Sequence, residues 1–185
     1  AIPHLADAGA KLEAMRQLGR LYQRISDWDS AQQILSEGLA ASPPQMADAA
    51  RFQILLGQLY SRQSHYRRAL DILQDAYHIC RRLEEPDILA QCVGTMGIIH
   101  FFRDAYKKSL ACYEEALALA RDQADEENTA VWLSNIAAIH LQLGDFNQAL
   151  AHLQQAVAVQ KRLGNQEQTA VALGNLGNDS RKLGD

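Results

Sequence analysis

His100 and His140 occupy the same place in successive copies of a sequence repeat. Two imidazoles recurring at one period could hold a metal ion, but a metal needs further Cys, His, Asp or Glu ligands, and none falls in register. Cys80, Cys92 and Cys112 are odd in number and lack metal-ligand spacing. They read as reduced thiols packed like small hydrophobes, which points to a reducing, cytoplasmic compartment. The acidic runs Glu84-Glu85-Pro86-Asp87 and 122–127 lack the alternating oxygen ligands and turn glycine of a calcium loop. No Gly-rich phosphate loop, nucleophile elbow or His-Glu-x-x-His helix occurs. No catalytic residue, metal or cofactor is therefore expected. Asn135 and Asn175 are likewise separated by one full repeat, on segments that read as helix interiors, where Asn is mildly disfavoured. A ladder of amides can pair with the donors and acceptors of an extended backbone, so the chemistry expected is recognition.

The elements that position these residues repeat. Gly19, Gly57, Gly97, Ala137 and Gly177 recur at a nearly constant step of about 40 residues, the first step being slightly shorter than the rest. Nine positions after the first four come Trp28, Tyr66, Tyr106 and Phe146, and twelve after them Ala31, Ala69, Ser109 and Ala149. Three columns keeping one beat mark a repeat array. Each unit reads as two helices joined by a tight turn. In the fourth, Val131, Leu133, Ile136, Ile139, Leu141 and Leu143 follow a helical period, Gly144 turns the chain, and Asp145 can cap the second helix. The pairs predicted are 12–25 with 28–41, 47–63 with 66–82, 87–103 with 106–121, and 126–142 with 146–163, followed by a helix over 167–183. Small residues are expected where two helix backbones approach closely.

Composition limits the partners. A formal net charge of −4 over 185 residues gives no footprint for nucleic acid or anionic membrane, and no apolar run is long enough to span a bilayer. The chain is read as one solenoid over 1–185, with repeats 12–46, 47–86, 87–125 and 126–165 and a half repeat 166–185. That half repeat is expected to continue into a larger protein.

The pattern Leu56-Gly57-x-x-Tyr60 with Tyr66, Ala69-Leu70 and Ala76 resembles the tetratricopeptide repeat, as does Leu18-Gly19-x-x-Tyr22 with Trp28 and Ala31. The period here is longer than the family's usual one of about 34 residues. Only Pro43 matches the family's closing proline, with Arg81, Arg121 and Lys161 at the equivalent places. Long repeats with phrases such as SNIAAIHLQLGDFNQAL (134–150) and ALGNLGN (172–178) are similar to those of kinesin light chains, the spindle-orienting Leu-Gly-Asn repeat protein and bacterial signalling regulators. The resemblance implies an all-α, right-handed superhelix of antiparallel helix pairs, whose first helices line a concave groove.

On that resemblance the groove takes Gln17, Arg20, Gln23 and Arg24 from the first repeat and Gln58, Ser61 and Arg62 from the second. The third contributes Thr95, Ile98, Phe101 and Phe102, and the fourth Asn135, Ala138 and Gln142. Asn175, Asn178, Arg181 and Lys182 come from the half repeat. The surface is thus basic at one end, aromatic in the middle and amide-rich at the other. In similar long-repeat proteins the asparagine ladder contacts bound peptide. The chaperone-tail carboxylate clamp of the family is disfavoured, because Arg16, Arg20 and Leu55 occupy its places. The implied function is non-catalytic binding of an extended or helical protein segment. The alternatives are a regulatory sensor array in a multidomain signalling protein and a self-assembly scaffold joined through exposed solenoid ends.

Overall fold

Eight α-helices and no strand occur among the described residues, 3–164, of this computed structural model, with side-chain surroundings described from Ala8 onward. They are α1 Pro3–Arg24, α2 Trp28–Ala41, α3 Ala47–Arg62, α4 Tyr66–Leu83, α5 Pro86–Phe102, α6 Tyr106–Asp122, α7 Glu126–Gln142 and α8 Phe146–Arg162. Seven match the predicted spans to within one residue at each end. The exception, α1, begins at Pro3 rather than residue 12. Its extra turns carry exposed Ala8, Gly9, Ala10 and Lys11, and these four positions bury no apolar stripe that periodicity could detect. The predicted helix over 167–183 lies outside the described residues.

The chain divides into two compact units, residues 1–95 and 96–185. In the first, α1 pairs with α2, α3 pairs with α4, and α2 packs on α3. In the second, α7 pairs with α8 and packs on α6.

One turn geometry closes every helix pair. The carbonyls of Tyr22, Tyr60, His100 and His140 accept hydrogen bonds from the N–H groups of Asp27, His65, Ala105 and Asp145 at 2.8 to 2.9 Å. Just before each donor a residue takes the left-handed conformation: Ser26 at φ 60°, Ser64 at 61°, Asp104 at 55° and Gly144 at 78°. This is a Schellman-type stop, and it satisfies carbonyls that the helix end would otherwise orphan. Asp27, Asp125 and Asp145 then cap α2, α7 and α8, each side chain accepting an N–H from three residues on.

The small column is where helices touch. A Cβ on Gly57 would sit 2.7 Å from Leu73 Cγ, and one on Gly97 would sit 2.6 Å from Tyr113 Cε1. Both distances are inside van der Waals contact, so these positions exclude a side chain. The second small column, Ala31, Ala69, Ser109 and Ala149, is fully buried. Ser109 is polar there because its hydroxyl donates to the Gly97 carbonyl at 2.8 Å, which satisfies the hydroxyl inside the core.

Candidate functional site

The first unit presents a basic face. Arg20 and Arg24 on α1 and Arg62 on α3 are exposed, and none makes a hydrogen bond or ion pair among the described residues. Arg24 and Arg62 occupy the same place in successive repeats, in the last turn of a first helix, where a cation complements the negative helix end. Gln58 is half-buried, its amide 3.4 Å from the Thr95 hydroxyl.

A neighbouring arginine is committed elsewhere. Arg16 is buried, bonds Asp48 at 2.6 Å and Glu13 at 2.5 Å, and lies 5.5 Å from the Phe52 ring centroid. The Glu13 carboxyl is held below its usual range by the hydrogen bond from Gln17 first, then by Arg16, with the field of Arg20 a lesser cause.

Two residues read as groove-facing are inside the protein. Gln23 is buried and donates from Nε2 to the Leu55 carbonyl at 3.1 Å, linking α1 to α3. Thr95 is buried, its hydroxyl donating to the Gln91 carbonyl at 2.8 Å. An exposed column and a buried one differ by a single step around a helix. Only the neighbouring helix decides which is which.

The second unit offers an aromatic step. Phe102 is 62% exposed and Ile98, one turn earlier on α5, is 39% exposed. Phe101 is half-buried, edge-on to both Phe102 and Tyr106 with ring centroids 6.0 and 5.8 Å away. Gln142 is exposed and Asn135 half-buried on α7. Asn175, Asn178, Arg181 and Lys182 lie outside the described residues.

His140 does not stand alone. It stacks on His152 of α8, with centroids 5.5 Å apart and planes 12° from parallel, and its Nδ1 is 3.6 Å from Asp145 Oδ2. Position 152 is held by Ile34, Ile72 and Cys112 in the other repeats, so nothing in the sequence singled it out. Burial lowers the affinity of His152 for a proton, with His140 and Arg121 adding to it and Glu114 opposing. Burial also lowers His100, aided by Lys108 and Arg103. No group of three or more metal-ligating side chains occurs among the described residues.

Cys80 and Cys92 are buried and Cys112 half-buried, all as free thiols. Burial pushes Cys80 and Cys112 up to about 11, with Glu85 and Glu115 as the secondary causes. Such thiols are poor nucleophiles. No helix among the described residues is long and apolar enough to cross a membrane.

Models of the tetratricopeptide repeat match residues 88–162 and 128–185, and a further one matches 53–87. No curated protein matches the sequence. Among solved structures, BtubC (BKLC) from P. vanneervenii is similar at a TM-score of 0.80 and 19% identity, over 97% of this chain and 83% of that one. A Signal Transduction ATPase with Numerous Domains (STAND) protein with a tetratricopeptide repeat sensor, from Pyrococcus horikoshii, is similar at 0.87 and 14% identity. There 93% of this chain spans 26% of the other. A Rap protein complexed with Competence and Sporulation Factor is similar at 0.78 and 18% identity, over 94% of this chain and 49% of that one. At these identities the likeness is one of fold: an all-α solenoid of paired helices.

Proposed function

Because the chain belongs to the tetratricopeptide-repeat family, we propose that it is a non-catalytic module that binds an acidic segment of a protein partner, extended or helical, on the basic face of its first unit. The observation that carries this reading is the set of unpaired, exposed guanidiniums of Arg20, Arg24 and Arg62 on two aligned first helices. Planar guanidiniums pair bidentately with carboxylates, and cations held one repeat apart suit acidic side chains spaced along a segment. Gln58 lies one turn before Arg62 and offers an amide to the segment's backbone. In the second unit, the step of exposed Ile98 and Phe102 beside half-buried Phe101 is the place for an apolar anchor, with Asn135 and Gln142 as polar contacts. Asn175 and Asn178 are proposed to extend the amide contacts.

Fluorescence anisotropy with a labelled Asp/Glu-rich peptide tests the basic face. Arg62→Glu and Arg24→Glu should each weaken binding by at least about 1 kcal/mol, roughly fivefold, and added salt should weaken the wild type. Unchanged affinity in both variants removes the reading.

A sensor role inside a larger signalling protein draws support from the similar STAND protein, whose tetratricopeptide repeats are described as its sensor. Self-assembly draws support from Leu18 and Leu21 on α1 and Ile25 just past its end, which form an exposed apolar stripe.

A further inference from the structure

A cavity of about 650 Å³ opens in the first unit, lined by the end of α2, the connection after it, α3 and the second half of α4. Its size falls in the range of small-ligand sites. Leu39, Pro44 and Ile79 supply apolar walls, and Gln53, Asp75 and His78 converge on the space between them. It is separate from the basic face, since Gln53 precedes Arg62 on α3 by nine residues, about 14 Å along the helix axis.

Gln53 is out of place by the logic of the repeat. Its position is apolar in the other copies, as Met15, Val93 and Leu133. Its Oε1 is buried and has no hydrogen-bond partner within the protein. An orphaned buried acceptor destabilises a fold, whereas the apolar residue used elsewhere at this position would not. The Asp75 carboxylate, which lines the same cavity, is exposed at its mouth and makes no hydrogen bond or ion pair among the described residues. Both free polar groups are acceptors, and one is charged. Arg82 is already bound to the carbonyl of Gln45, one of the lining residues, at 2.7 Å.

The repeat-equivalent cavity of the second unit, about 460 Å³, lacks this provision. Leu133 stands where Gln53 does, and Gln155 stands where Asp75 does, its Oε1 accepting from Arg121 at 3.4 Å. Arg162 and Glu126, which also line it, pair with each other at 2.8 Å. The same architecture is therefore internally satisfied in one copy, and in the other holds one orphaned buried acceptor and a solvent-exposed carboxylate.

We propose that the first unit's cavity is a binding site for a primary ammonium carried on a short apolar chain, its charge on Asp75, an N–H on Gln53 Oε1 and its methylenes against Leu39, Pro44 and Ile79. That chemistry is offered by a lysine side chain of a bound segment and by a free aliphatic diamine.

Titration of the isotope-labelled chain with putrescine, and separately with a capped Leu-Lys dipeptide, tests this by nuclear magnetic resonance. Saturable shifts of the Gln53 side-chain amide and of the Asp75 and Ile79 backbone amides are expected with at least one probe. Asp75→Asn and Gln53→Leu should each weaken binding by about tenfold. The leucine variant has its precedent at Leu133, and its thermal midpoint should rise as the orphaned acceptor disappears. Tighter binding of the dipeptide assigns the site to a lysine of a partner segment, and tighter binding of putrescine to a free diamine. Three results would each overturn the site: no saturation with either probe, equal binding of butanol, or undiminished affinity in both variants.

Discussion

At the scale of single residues, identity matters through what surrounds it. Arg16 and Arg20 differ by four positions on one helix, yet the first is locked between Asp48 and Glu13 and the second is free in solvent. The histidines show the same dependence. His152 and His100 both hold their protons less tightly than an ordinary histidine, chiefly because burial penalises the charged ring. A base whose folded pKa is depressed is neutral in the folded state while the unfolded chain already takes up protons. Its contribution to stability is complete above the ordinary histidine value, lost as pH falls from there to the depressed value, and flat below that. Glu13, depressed below 4.5, acts only in a more acid window, so the two effects separate. The melting temperature is therefore expected to fall between about pH 7.5 and pH 5.5. Replacing His152 by the isoleucine found in the first two repeats should flatten that slope. Circular dichroism melts across the range check this, and an unchanged slope in His152→Ile would detach the titration from His152.

At the scale of elements, the turns are more uniform than their residues. The stop after α6 places Ala124 at φ 53°, and the register-equivalent stop after α8 places Gly164 at 68°. An alanine in the left-handed region suffers a clash between its Cβ and the backbone of about 1–2 kcal/mol, which glycine escapes. Glycine's greater freedom in the unfolded chain returns part of that gain. Ala124→Gly should thus stabilise the protein by about 0.5–1 kcal/mol, raising the urea midpoint with an unchanged slope. A lower midpoint would mean that the alanine side chain makes contacts outweighing its strain. These turns also explain why element boundaries were legible. Gly144 announces its turn directly, while Ser26, Ser64 and Asp104 take the same conformation and could be placed only through the repeat register. The start of α1 was not legible, because Ala8, Gly9, Ala10 and Lys11 are exposed and bury no stripe that periodicity could detect. Among the candidate site residues, the column of Arg24, Arg62, Phe102 and Gln142 is exposed throughout. Gln23 could not be placed from sequence, since its burial comes from a hydrogen bond to the backbone of the next repeat's first helix.

At the scale of the whole molecule, a repeat array makes each helix face an interface with whatever precedes or follows it, so the same residue type is core in one copy and surface in another. Leu56 and Leu59 on α3 are 2% and 0% exposed, with α2 packed on that helix. Their equivalents on α1, Leu18 and Leu21, are 37% and 50% exposed, and Ile25 one turn on is 63% exposed. Leu18 and Leu21 on α1 and Ile25 in the turn just past it fall at i, i+3 and i+7, an exposed apolar stripe of the kind another helix can cover. A second copy can supply that cover. Light scattering of this chain should show mass rising with concentration, and the double change Leu21→Gln with Ile25→Arg should return it toward the monomer. Both replaced residues are exposed, Leu21 in the last turn of α1 and Ile25 just past it, and arginine already stands at the Ile25 position in the third repeat as Arg103, so the helix itself should persist. Unaltered helicity by circular dichroism would separate lost association from lost folding. A wild-type chain that stays monomeric across the range would remove self-assembly from the readings.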